Sequence, residues 1–212
     1  MLTNFKERFA HCKESSFDFS SIDTSNVEDM SWCFYDCENL KSLDLSHWNT
    51  SKVKNMGCCF YDCANLKSID LALWDTSRLE YLNNCFDGCL KLESLDLSRW
   101  NTSNVKDIGF CFSGCKNLCS FGVALWDTSK VECMSSCFYG CKNLCDLDLS
   151  HWNTSKVKYM SGCFNSCKKL RYLDLSRWNT SSVKDINSCF NGCENLKSLD
   201  LSHWDTSNVK FM

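Results

Sequence analysis

The sequence predicts an α/β solenoid: a right-handed coil with a parallel sheet on one side and short helical or 3₁₀ segments on the other. Three observations predict it. Trp returns every 26 residues, at Trp48, Trp74, Trp100, Trp126, Trp152, Trp178 and Trp204. Each interval holds an apolar alternation of strand type followed by an apolar spacing of helix type. The same residue types return at the same place in each interval, so stacked intervals would bury one continuous core. One step back from Trp48 falls on Ile22, in IDTSNVEDM. The chain therefore divides into an N-terminal cap (1–21), seven 26-residue repeats (22–203) and a partial eighth (204–212).

The elements follow in chain order. Leu2, Phe5 and Phe9 have helical spacing, which predicts a capping helix from Leu2 to Lys13 over the first open coil. In NLKSLDLS, Leu43 and Leu45 alternate around Asp44, the mark of a short strand with leucines inward and Asp outward. NTS, from Asn49 to Ser51, suits a turn or a helix N-cap. Val53, Met56 and Phe60 then stand at the spacing of one helical face. Eight Gly and no Pro leave the corners to Asn, Asp, Thr and Ser. Stacking would bring Phe34, Phe60, Phe86 and their successors to Phe190 into one column, and Leu40 to Leu196 into another. The Trp column belongs with them as core rather than as a ligand stripe, because it is regular in all units.

Composition excludes several classes. Aromatics at 13% support a packed core. No segment approaches the roughly 18 apolar residues of a membrane helix, and MLTNFKERFAHCKESSF has no apolar stretch of a secretory signal. A net charge of -3, with basic residues scattered among acids, gives no footprint for nucleic acid.

LxxLDLSxW, followed by TSxVxxM and CFxxCxNL, resembles the BspA-like bacterial surface leucine-rich repeats, of the branch with mycoplasma-lipoprotein-type repeats. The resemblance covers about 190 residues. It implies a leucine-rich-repeat-like solenoid that acts as an adhesin or interaction module at the cell surface or outside the cell. A host or cell-surface protein would be its partner. It implies no cofactor and no shared catalytic residues. Two features depart from the family: Cys stands before Phe in every unit, as at Cys59 and Cys85, where Met is frequent. The missing signal leaves a cytoplasmic location as the alternative.

Candidate binding residues lie where units differ or where charge accumulates. Before each Trp stand His47, Leu73, Arg99, Leu125, His151, Arg177 and His203 in turn. A position that accepts His, Leu and Arg reads as tunable surface, and Leu73 and Leu125 mark a contact patch. Asp44, Asp70, Asp96, Asp148, Asp174 and Asp200 form a column that Gly122 interrupts. Like charges about 4.8 Å apart repel by roughly 1 kcal/mol in water. Ser and backbone donors would relieve them, with a hard cation as the alternative. The Thr24-to-Thr206 ladder could offer an ice-binding surface, but Thr beside Ser suits turn and cap chemistry. No enzyme is expected, since acid–base and nucleophilic sites need unlike groups at one point and a repeat spreads like groups along a line. The function expected is a non-catalytic protein-binding scaffold. A structural spacer and a cation- or ice-binding solenoid are the alternatives. An uncovered last coil predicts end-to-end self-association or a missing remainder of the chain.

Of nineteen cysteines, fourteen form seven CFxxC pairs, from Cys33 and Cys37 to Cys189 and Cys193. On a helix the members of a pair would stand about 5–6 Å apart at Cβ, too far for an unstrained disulfide. Zinc would need two such pairs in a compact knuckle, and no metal is expected. The pairs are read as reduced core columns, with an inter-coil bond between Cys119 and Cys145 left open.

Overall fold

The computed structural model describes residues 3–119 and 121–212. Leu2, on which the expected capping helix leans, lies outside them. The coils stack in register through parallel bridges that run from Asn4 to Asp29, Asn55, Tyr81, Asp107, Cys133, Tyr159, Asp185 and Phe211. This ladder passes through the segment whose spacing predicts a helix.

No helix forms among the described residues, and the backbone hydrogen bonds show why. The N–H groups of Met30, Trp32, Phe34 and Asp36 donate to the carbonyls of Asn55, Gly57, Cys59 and Tyr61 in the next coil, at 2.8, 3.0, 2.8 and 2.8 Å. Those between them, on Cys33, Tyr35 and Cys37, fold back onto Met30, Trp32 and Phe34 at 3.2, 3.1 and 3.4 Å. Overlapping turns of this kind need left-handed residues, and Trp32 (φ 60) and Asp36 (φ 56) supply them. The same two positions are left-handed in each later coil, down to Ser188 (φ 55) and Gly192 (φ 72). A helix would spend each N–H on its own fourth-previous carbonyl; here half of them join coil to coil. The burial pattern survives the change of element, with Val53, Met56 and Phe60 at 2%, 1% and 0% exposure.

The LDLS run also differs from expectation. Leu43 and Leu45 are buried and Asp44 is exposed, as the alternation requires. Yet the described residues form only single bridges here, Ser68 with Ser94, Leu95 with Phe121 and Asp146 with Tyr172. Lys67 N–H to Lys41 (3.2 Å) and Glu93 N–H to Lys67 (3.0 Å) are the kind of lone bond that ties neighbouring coils. The chain turns too soon for a strand: Asp44 Oδ1 accepts the Ser46 N–H at 3.0 Å, and Leu45 accepts the Trp48 N–H at 3.0 Å.

Residues 3–13 are a degenerate coil rather than a capping helix. The N–H groups of Phe5, Glu7, Phe9 and His11 donate to Asp29, Ser31, Cys33 and Tyr35 at 2.8, 3.1, 2.9 and 2.7 Å. Glu7 (φ 57) and His11 (φ 58) repeat the left-handed pair. Phe9 stacks on Phe34 with ring centroids 5.4 Å apart.

Two aromatic columns fill the coil. Phe34 to Phe190 stack at 5.4–5.8 Å with interplanar angles of 2–11°. Successive Trp rings from Trp48 to Trp152, and Trp178 with Trp204, stack at 6.2–6.5 Å. From Trp74 to Trp178 each indole N–H donates to a carbonyl of the preceding coil at 2.9–3.4 Å. Each ring buried in this way contributes about 1.5–3 kcal/mol, and its N–H is not left unpaired.

The cysteines pack against these rings. Both members of the pairs from Cys59 and Cys63 to Cys163 and Cys167 are fully buried. The second thiol of a pair donates to the Phe carbonyl of the preceding coil, as in Cys63 to Phe34 (3.1 Å), Cys115 to Phe86 (3.1 Å) and Cys167 to Phe138 (3.0 Å). Burial pushes these thiols up, that of Cys141 to about 12, so they stay protonated. Cys37 is the exception, joined to Cys12 by a disulfide between the first two coils. Cys119 and Cys145 are both free, so the bond left open between them does not form.

The Thr ladder turns inward. Thr24 to Thr180 are 1–4% exposed, and the Thr50, Thr102, Thr128 and Thr154 hydroxyls donate to carbonyls of the next coil at 3.0–3.1 Å. Buried hydroxyls present no flat outer face, which removes the ice-binding alternative. Cap chemistry belongs instead to the residue before Thr, as where Asn49 Oδ1 accepts the Ser51 N–H at 3.1 Å.

Candidate binding face

The LDLS run and the residues before Trp form one exposed face. Asp44, Asp70, Asp96, Asp148, Asp174 and Asp200 all point to solvent. Each accepts, through Oδ1, the backbone N–H two residues on, at 2.9–3.0 Å. Hydrogen bonds from Ser46, Ser98, Ser150, Ser176 and Ser202 hold the carboxyls of Asp44, Asp96, Asp148, Asp174 and Asp200 below the usual range. The repulsion along the column is thus met by a donor inside each coil. Among the described residues, no three His, Cys, Asp or Glu side chains gather where a metal ion could sit.

Gly122 breaks the column for a steric reason. A Cβ there would lie 2.7 Å from Ser98 Cβ and 2.9 Å from Asp96 Oδ1, so an Asp cannot fit. Phe121 leans into the core, 4.7 Å from the Phe112 ring and 5.7 Å from that of Phe138. Between this point and Leu43 the face sinks into an open groove of about 710 Å³, lined by Ser68, Ile69, Asp70, Leu95 and Asp96 among others.

The other candidate residues stand along the rim of the face. Leu73 and Leu125 are 73% and 74% exposed, with Arg99 on the coil between them. The next residue of that middle coil, Trp100, has its ring 6.5 Å from the Trp74 ring on one side and 6.5 Å from the Trp126 ring on the other. His47 is exposed on the preceding coil. The fold therefore aligns Leu73, Arg99 and Leu125 in one row, and sets the Asp column in a row of its own.

Two features escape the column reading. One is a charge ladder: Glu28 pairs with Lys54 at 2.8 Å, Glu80 with Lys106 at 2.6 Å and Glu132 with Lys158 at 2.6 Å. Water screens exposed pairs of this kind, so they add little to stability; the sequence signal was the Glu/Lys alternation at successive 26-residue steps. The other is a depression of about 380 Å³ on the ladder side, lined by Lys6, Asp29, Ser31, Trp32, Asn55, Gly57, Cys58, Tyr81 and Asn83. Its signal was variation from coil to coil, since Trp32 is followed by Cys58 and Asn84, Ser31 by Gly57 and Asn83, and Asp29 by Asn55 and Tyr81.

No helix of the described residues is long and apolar enough to cross a membrane. No curated protein matches the chain. Among solved structures it is similar to a leucine-rich repeat protein from Bacteroides ovatus ATCC 8483, at 24% identity over 88% of this chain and 70% of that one. The TM-score is 0.23, and at that value the two do not superpose as whole chains. A family model described as "Mycoplasma protein of unknown function, DUF285" matches residues 3–121 and again 119–212. Those two matches take in nearly the whole run of coils, and the chain belongs to the DUF285 family.

Proposed function

We propose that this chain is a non-catalytic scaffold that binds a protein partner at the cell surface, in the manner of the BspA-like leucine-rich repeat proteins that its motifs resemble. The observation that carries the reading is the row of Leu73, Arg99 and Leu125. Leucines more than 70% exposed bury little of their side chain in the core, while the same position is polar in the other coils. Two apolar anchors around a guanidinium suit an acidic partner residue flanked by apolar ones, with Arg among the residues enriched at binding hot spots. The groove below extends the contact area, as solenoid faces do. Repetition supports the non-catalytic part, because it spreads like groups along lines, and burial keeps the core thiols protonated.

The test compares capture of host surface proteins by the native chain and by the Leu73→Ser/Leu125→Ser variant. Loss of capture with unchanged thermal stability is the expected result. Equal capture would remove the patch, and no capture by either would favour a structural spacer.

A further inference from the structure

We infer that the depression between Trp32 and Tyr81 is a binding site for a neutral sugar unit of a glycan. It lies on the ladder run of the coil, apart from the LDLS face, and does not depend on the reading of that face.

The floor is Gly57 and Cys58. Gly57 is a notch in its column, with Ser31 on one neighbouring coil and Asn83 on the other. A Cβ on Gly57 would stand 3.1 Å from Asn83 Oδ1 and 3.2 Å from Asn55 Oδ1, so two side-chain amides converge over the missing side chain. Asn55 Oδ1 accepts the Gly57 N–H at 2.9 Å, which fixes the amide and leaves its NH₂ group to donate. Asp29 is fixed in the same way by the Ser31 N–H at 2.8 Å. Among the described residues, neither the second Asp29 oxygen nor the Lys6 ammonium has a partner. Donors and acceptors of both kinds thus line one small space.

The walls are aromatic. Trp32 is half-buried and braced by Tyr35, 5.0 Å away at 90°, and by Tyr61 at 5.9 Å. Tyr81 is 42% exposed on the far side. Trp32 also sits at a left-handed position, φ 60, where Gly or Asn would fold with less strain. The coil does not need an indole there: the equivalent residues are Cys58, Asn84, Ser136, Gly162 and Ser188, with Phe110 alone aromatic.

These groups select the ligand class. Among the described residues Lys6 and Asp29 are the only charged liners and have opposite signs, so no anion or cation is favoured. The volume is near the small end of the roughly 300–1,000 Å³ range of ligand pockets. A pyranose fits this chemistry. Its C–H face packs on an aromatic ring, and its hydroxyls both donate to Asn83 Oδ1 and Asp29 and accept from Asn55 and Lys6. Fixed side chains lose little freedom when it binds.

Saturation-transfer NMR on the full chain tests this with methyl glycosides of glucose, galactose, mannose, N-acetylglucosamine and N-acetylgalactosamine, and with lactose and cellobiose. At least one should give a saturable signal. Trp32→Gly, which suits the left-handed backbone, and Gly57→Ala, which fills the notch, should each weaken it about tenfold or more. Phe110→Gly, a matched change at the other aromatic left-handed position, should leave it unchanged. Tighter binding of a disaccharide identifies a chain, and equal affinity a terminal unit; both support the site. No signal from any sugar, equal binding by Trp32→Gly, or a signal only from sialic acid or an acidic peptide offered as controls would overturn it.

Discussion

Replacing Thr76 with Val isolates the bonds that join one coil to the next. Thr76 is 4% exposed. Its hydroxyl donates to the Asn101 carbonyl at 3.1 Å and accepts the Asn101 N–H at 2.8 Å. Val keeps the shape and removes both bonds. At roughly 0.5–1.5 kcal/mol each, the loss should be about 2 kcal/mol. For a chain of this length that lowers the melting temperature by about 4–8 °C. Two variants serve as references. Thr76→Ser keeps the hydroxyl and gives up one methyl, about 0.8 kcal/mol. Thr206 is exposed and has no such partner among the described residues, so Thr206→Val should change stability by less than about 0.5 kcal/mol. Urea unfolding followed by Trp fluorescence reads all three. A Thr76→Val loss no larger than that of Thr206→Val, or smaller than that of Thr76→Ser, would refute the inter-coil role of the hydroxyl.

Two further outcomes follow from the thiols and the carboxylates. Cys115→Ala deletes the thiol that donates to the Phe86 carbonyl at 3.1 Å and should cost about 1–2 kcal/mol. In the native chain Cys119, the exposed thiol, should label fastest, while denaturant should release seventeen thiols with Cys12–Cys37 intact. Fewer than about five would sink the reduced core, since buried structural thiols are inert only while the fold holds. Asp44, Asp96, Asp148, Asp174 and Asp200 have folded values held below the usual range by Ser donors. Their stabilisation is therefore complete above the ordinary carboxylate value and is lost as pH falls from about 4 through the lowered folded values. Burial pushes Asp62, Asp87 and Asp107 up instead, and their protonation just above that window works in the opposite sense. Melting temperatures should hold between about pH 5 and 7 and decline below about pH 4, and a decline that Asp96→Asn leaves untouched would discount that carboxylate.

The repeat and the inward or outward sense of its apolar positions and of the Asp column were legible in the sequence, because burial in a solenoid depends on the place of a residue in its period. Phe60, Leu66 and Trp74 needed no more than their 26-residue recurrence, and Asp44 no more than its place between two leucines. The backbone was not legible. Apolar residues at every third or fourth position serve a helix or a run of overlapping turns equally well. What separates the two at Met30 to Cys37 is whether an N–H bonds within its coil or to the next, and that is settled only when coils stack. Stacking also makes Trp32 and Asp36 left-handed, turns the Thr76 hydroxyl inward, and excludes a Cβ at residue 122. The first coil shows the same division. Phe9 and Cys12 precede Phe34 and Cys37 by 25 residues, one short of the period, and only packing shows that the shorter step still brings Cys12 against Cys37.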